Sequence, residues 1–142
     1  SWAGLLEREE YIEFIIKPNQ QISEEIREFS KQTKIIHFPR GSRKNYKIFA
    51  EEVHCDVLSL DQSYPKELLG FLREKGITVQ GNLDPQELLK DVDRVEEKTK
   101  EVLEKFKSNN HIFNLSHGIL PKTKISNIEK VIKVVRDYET SR

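Results

Sequence analysis

The amino-acid sequence predicts an α/β protein built on a parallel sheet, and three observations predict it. Four short apolar runs, Lys34–Phe38, Cys55–Leu60, Ile77–Gln80 and His111–Leu115, lack the strict alternation of a half-buried strand, as strands covered on both faces do. Amphipathic segments of helical period separate them. The order is one helix, then a strand–helix pair four times over, and strands joined by helical crossovers run parallel. An open doubly wound sheet and a (β/α)8 barrel both satisfy this order. A whole barrel needs about 250 residues, so the 142 present would make roughly half of one.

Each element has its own local reason. Leu5–Thr33 reads as helix interrupted near Pro18, Asn19 and Gln20, because proline brings no N–H to the helical ladder. After the strand Cys55–Leu60, Pro65 opens a short helix through Leu68, Leu69 and Leu72, and Gly76 ends it. The longest helix is expected over Gln86–Lys107, with Leu88, Leu89, Val92, Val95, Val102, Leu103 and Phe106 on one face. Asp84 caps it, Pro85 takes the first helical position, and Glu87 returns a hydrogen bond. Ser126 and Glu129 form a second capping box, before a helix that buries Ile128, Val131, Ile132 and Val135.

Composition limits what such a protein binds. Charged residues make up 34% of the chain and hydrophobic ones 36%, the balance of a globular domain. Lys+Arg and Asp+Glu number 24 each, so no overall charge draws the chain to nucleic acid or to an anionic membrane. Cys55 is the only cysteine, which excludes an internal disulfide and a zinc site built on several thiolates and fits a cytosolic setting. No apolar run is long enough to cross a bilayer.

In either parallel fold the chemistry sits where strands end and the next helix begins. His117 follows an apolar strand and precedes Gly118, which lets backbone approach a ligand. A histidine there can bind a carboxylate or pass a proton; on position alone the plainer role, satisfying its own turn, is preferred. Arg40, Arg43 and Lys44 cluster after the first strand and suit a carboxylate-rich ligand. For Arg43 and Lys44 a solvated helix start is the preferred reading, and for Arg40 the two are balanced. Asp61 ends a strand, where it can act as acid, base or anchor, although an N-cap or loop role is the commoner fate of such an aspartate. Gln80 and Asn82 can offer amides to a ligand or tie loops together. His37, His54 and His111 lie within strands or at their starts, away from that chemistry. No glycine-rich phosphate loop, Ser–His–acid order or metal-ligand pair stands out.

Longer strings go further. Val79-Gln80-Gly81-Asn82-Leu83-Asp84-Pro85 and His111-Ile112-Phe113-Asn114-Leu115-Ser116-His117-Gly118-Ile119-Leu120-Pro121 resemble two segments of the uroporphyrinogen decarboxylases, Q-G-N-L-D-P and N-L-G-H-G-I-x-P. Ser1-Trp2-Ala3-Gly4 resembles a third, S-x-A-G, and Phe38-Pro39-Arg40-Gly41 and Leu60-Asp61 stand in the right order between them. The resemblance spans essentially the whole chain. It implies that residues 1–142 are a single partial domain, the carboxy-terminal half of a (β/α)8 barrel from a cytoplasmic, homodimeric enzyme of porphyrin synthesis.

That family uses no cofactor and no metal, and removes carbon dioxide from the four acetate arms of uroporphyrinogen to give coproporphyrinogen. Protonating a pyrrole creates the electron sink; the protein supplies a carboxylate for the pyrrole N–H groups, arginines for the eight carboxylates, and a proton donor. The family's catalytic aspartate and most of its arginines belong to segments with no counterpart here, so the resemblance implies no catalytic residue in this stretch and an inactive fragment when it stands alone. It carries Ser1 and His117 over as substrate-binding residues and places Arg40 and Asp61 near the pocket. Ser116 stands at a usual glycine position, and Gln62 where tryptophan is common. Methyltransferases of the same barrel superfamily are the alternative, but they hold zinc with a histidine and two cysteines, and this sequence has one cysteine.

Overall fold

The computed structural model describes residues 2–140. Four strands form one sheet in the order β1 (Ile36–His37), β2 (Val57–Ser59), β3 (Thr78–Leu83) and β4 (His111–Leu115), every pair parallel. The order is consecutive. A doubly wound sheet reverses its order at a switch point, whereas successive units laid side by side are what a barrel requires. Six α-helices accompany the strands: α1 (Arg8–Tyr11), α2 (Lys17–Phe29), α3 (Tyr46–Glu52), α4 (Leu68–Glu74), α5 (Val92–Phe106) and α6 (Ile125–Thr140).

One face of the sheet carries the core. His37, Leu58, Val79 and His111 stand level across the four strands. Leu58 and Val79 are fully buried, His37 rests edge-on against Phe49 of α3, and the His111 ring stacks on Phe106 of α5 at 4.6 Å. Tyr11, Tyr46, Leu68, Leu72, Leu88 and Val95 complete this layer between sheet and helices. Burial lowers the pKa of both histidines, with His54 adding to the shift at His37 and the Gly81 carbonyl opposing it at His111. The opposite face is open at both edges: Ile36 is 50% and Ile112 42% exposed.

Several boundaries differ from the sequence expectation. Pro18 does not interrupt the first helix. The turn before it widens to a π segment (Ile12–Ile16), and the Asn19 amide donates to the Ile15 carbonyl at 2.7 Å, so the chain stays helical to Phe29. The long helix is two pieces, a 3-10 turn (Pro85–Leu89) and α5. Asp84 caps the turn through the Gln86 N–H, as expected, but Glu87 pairs with Arg94 instead of returning a bond, and Asp91 caps α5 through the Arg94 N–H. The break turns Leu89 and Val92 outward. Ser126 caps nothing, because α6 already includes Ile125. There Asn127 does the anchoring, donating to the Leu88 and Lys90 carbonyls, and α6 buries Val131 and Val134 while Ile132 is exposed. The strand expected to stop at Gln80 runs on to Leu83, since Asn82 and Leu83 pair with Asn114 and Leu115.

The amino-terminal ends of the strands are tied by charge. Arg27 of α2 pairs with Asp56, and it also donates to the Lys31 and Thr33 carbonyls and to His54. Asp56 accepts from the Ile35 N–H at 2.9 Å and pairs with Lys34. Desolvation pushes the Asp56 carboxyl up, but the Ile35 hydrogen bond and the two cations outweigh it and hold the group below its ordinary value. A depressed carboxyl pKa stabilises the fold above the unfolded value of about 3.9. That stability is lost as pH falls through the folded value. Asp56→Ala is therefore expected to cost roughly 2 kcal/mol at pH 7. In urea titrations against wild type, the gap should shrink steadily below about pH 4; a pH-independent gap would rule out this ionic role.

Candidate functional site

Parallel strands in consecutive order put all four carboxy-terminal ends on one rim. Counting on two residues from the Ser59–Gln80 pair sets Asp61 opposite Asn82, and three from His37–Leu58 sets Arg40 beside Asp61. Asn82 pairs directly with Asn114. A row Arg40, Asp61, Asn82, Asn114 thus crosses the rim, and His117 follows three residues beyond Asn114.

Hydrogen bonds confirm the row. Asp61 is buried. Its Oδ2 accepts from the Gly41 N–H at 2.5 Å and its Oδ1 from the Ser63 N–H at 2.8 Å, so one carboxylate fixes the loops after β1 and β2. The Asp61 N–H donates to the Tyr46 hydroxyl, and its carbonyl accepts from the Asn82 amide at 2.8 Å. Burial pushes the Tyr46 hydroxyl well above its ordinary pKa, keeping it neutral. Gln80 donates to Ser59 Oγ, and Gln62 to the Asn82 carbonyl. Gln80 and Asn82 therefore join strands, and the Gln80–Asp84 string is chiefly a strand-binding device. A Cβ built on Gly81 would lie 2.8 Å from the Leu60 carbonyl, and its φ of +125° suits glycine alone.

The segments holding Ser1 and Arg40 meet at two glycines. A Cβ on Gly4 would fall 1.8 Å from the Gly41 carbonyl oxygen, so these backbones touch only because Gly4 carries no side chain. Arg40 lays its guanidinium over the Trp2 ring at 4.5 Å, a cation–π contact that orients it. Ser1 lies outside the described residues.

His117 is half-buried, and its Nδ1 lies 3.1 Å from the Gly118 carbonyl. A carbonyl only accepts, so Nδ1 carries the proton and Nε2 faces elsewhere. Ser116 is fully buried, and its N–H donates to the Leu83 carbonyl at 2.8 Å, extending the β3–β4 ladder. No described residue other than glycine has positive φ, so a side chain at this turn is unstrained. Ser116 Oγ and Asn82 Oδ1 are buried without a partner among the described residues.

The remaining candidates lie elsewhere. His37 meets Ser23 Oγ, His54 accepts from Arg27, and His111 reaches the Gly81 carbonyl from the core side. Cys55 is buried at the opposite end of β2, with its thiol pushed up to about 11 by burial and by Asp56. Among the described residues no group of three or more His, Cys, Asp and Glu side chains could hold a metal, and no helix is long and apolar enough to cross a membrane. Arg43 and Lys44 sit in the turn before α3, not on its first helical turn. Tyr46 and the Gly4–Gly41 contact were not singled out by the sequence. A tyrosine among charged residues gives no sign that it is fully buried, and two glycines 37 positions apart give no sign that they touch.

Residues 1–138 of the 142 match the family model described as uroporphyrinogen decarboxylase (URO-D). The chain belongs to the uroporphyrinogen decarboxylase family. Among its relatives, the proteins named uroporphyrinogen decarboxylase from Rickettsia africae (strain ESF-5) and Rickettsia bellii (strain RML369-C) are 44% and 41% identical over 139 residues, or 98% of this chain. Those residues are 40% and 41% of the relatives' own lengths, so the chain spans about two-fifths of the uroporphyrinogen decarboxylases it matches. The family fold is a (β/α)8 barrel, and the four consecutive parallel units seen here are part of one.

Proposed function

We propose that this chain forms part of the substrate rim of a uroporphyrinogen decarboxylase, which converts the four acetate arms of uroporphyrinogen to methyl groups and yields coproporphyrinogen. The observation that supports it is the row Arg40–Asp61–Asn82–Asn114 with His117 beyond it, at the strand ends of a chain of this family. Cytosolic placement, homodimeric assembly and a single partial domain over residues 1–142 belong to the same reading.

The residues divide the work by chemistry. With Nδ1–H held by the Gly118 carbonyl, the Nε2 edge of His117 is left to meet a substrate carboxyl group and orient it. Arg40, steadied on Trp2, offers a charged donor. Ser1, two residues before Ala3, is assigned a carboxylate on the resemblance alone. Asp61 does not handle protons. Both its oxygens are taken by backbone N–H groups, so it positions the loops that carry Arg40 and Gln62. The carboxylate that holds the pyrrole N–H groups is then supplied by the three-fifths of the relatives that this chain does not match.

A chimera tests this. Replacing the matching 139-residue segment of the Rickettsia africae relative with this chain should give a folded enzyme that forms coproporphyrinogen, while the chain alone forms none. His117→Gln in the chimera should raise KM about tenfold or more with a smaller loss of kcat, as expected for a binding contact worth about 1.4 kcal/mol or more. A folded chimera without activity, or activity in the isolated chain, would sink the reading.

A further inference from the structure

A cavity of about 350 Å³ opens beside this rim, where the start of α1 faces the loop after β1. Gly4 and Gly41 form part of its wall, and Arg8, Arg43 and Lys44 surround it. We infer that it is an outer subsite, in which Arg8, Arg43 and Lys44 take a carboxylate arm of the polyacid substrate that the rim row leaves outside the pocket. The inference rests on the function proposed above.

Charge bookkeeping around the cavity points to an anion. Arg27, Lys34, Arg94, Lys98, Lys100, Lys130 and Lys133 each hold a carboxylate. Arg8, Arg43 and Lys44 have no ion pair or side-chain hydrogen bond among the described residues. Glu7 is the one carboxylate in the lining, and its oxygen already accepts the Glu10 N–H in a capping box. Three unpaired cations therefore face one engaged anion in a chain whose formal charge is zero.

Position ties the cavity to the substrate. Gly41 is the neighbour of Arg40, and its N–H is held by Asp61 of the rim row. A tetrapyrrole with eight carboxylates calls for several cations around the rim, and the loop that carries Arg40 leads directly to Arg43 and Lys44. Guanidinium and ammonium groups on exposed side chains give modest, salt-sensitive contacts, which suits holding the outer arms and favouring an octa-acid over a tetra-acid.

Porphyrin binding to the chimera described above, followed by fluorescence, tests this with uroporphyrin (eight carboxylates), coproporphyrin (four) and inorganic phosphate as probes. Arg43→Gln/Lys44→Gln should weaken uroporphyrin about tenfold, weaken coproporphyrin by less than about twofold, and flatten the salt dependence, with circular dichroism unchanged. Arg8→Gln should act in the same direction and serves as an independent variant. If His117→Gln weakens uroporphyrin while the Arg43/Lys44 variant binds it as the unsubstituted chimera does, the subsite is wrong and the rim reading stands. If the unsubstituted chimera binds neither porphyrin, the rim reading falls and takes the subsite with it. Displacement of uroporphyrin by inorganic phosphate at equal carboxylate-equivalent concentration would mark a general anion site and overturn the substrate assignment.

Discussion

Gly81→Ala is expected to destabilise the chain by about 3 kcal/mol or more, lowering its melting temperature by roughly 10 °C. Two independent costs add. The residue has φ +125°, a region that side-chain-bearing residues enter at a cost of about 1–3 kcal/mol. The new methyl would also sit 2.8 Å from the Leu60 carbonyl, which is backbone and cannot swing aside. Leu60 is tied to β3 by its own N–H, which donates to the Gln80 carbonyl, so relief requires moving β2 from β3. Those are the strands that carry Asp61 and Asn82, and a variant that still folds should lose uroporphyrin affinity as well. Gly118→Ala is the control. Nothing lies within 4 Å of a Cβ built there, so its melting temperature should stay within about 2 °C of wild type. Equal stability of the two variants would refute the close-approach account of Gly81.

The sheet was legible because its strands carry their signal locally. His111–Leu115 is apolar, short and bounded by polar residues, and it is found where the sequence puts it. Existence and order of the four units followed from the same kind of signal. What the sequence could not show was where backbone meets backbone. Asn82 is an amide three residues before a proline, which reads as a loop, and only the pairing with Asn114 makes it strand. Leu89 and Val92 fit a helical stripe, but Asp91 between them caps α5 and breaks the period. The candidate site divides in the same way. His117, Arg40 and Asp61 were singled out because strand ends are where parallel folds do chemistry, and all three follow the carboxy-terminal ends of their strands. The role of Asp61 as a clasp depends on the N–H groups of Gly41 and Ser63, and one of those partners is 20 residues away. Arg43 and Lys44 read as solvated residues, and both are exposed; what the sequence does not show is that neither meets a carboxylate.

Asp61→Ala should be nearly as damaging as Gly81→Ala, and for a different reason. Asp61 is 8% exposed, and its carboxylate is the acceptor for the Gly41 and Ser63 N–H groups. Alanine leaves both donors of these part-buried bonds without their acceptor, at roughly 1–3 kcal/mol for each group that stays unpaired. A total of about 3 kcal/mol follows, read as a drop in the urea midpoint at unchanged slope. Asp61→Asn separates charge from geometry. Its amide oxygen can keep one N–H, but its NH2 then faces the other donor, so about half the loss should return. If Asp61 held substrate or moved protons directly, the asparagine variant would fold like wild type and fail only in turnover. The clasp account requires instead that midpoint and porphyrin affinity fall together, in the order wild type, asparagine, alanine. The link is mechanical: Gly41 carries Arg40 on one side and the wall of the cationic cavity on the other. Releasing its N–H frees both at once.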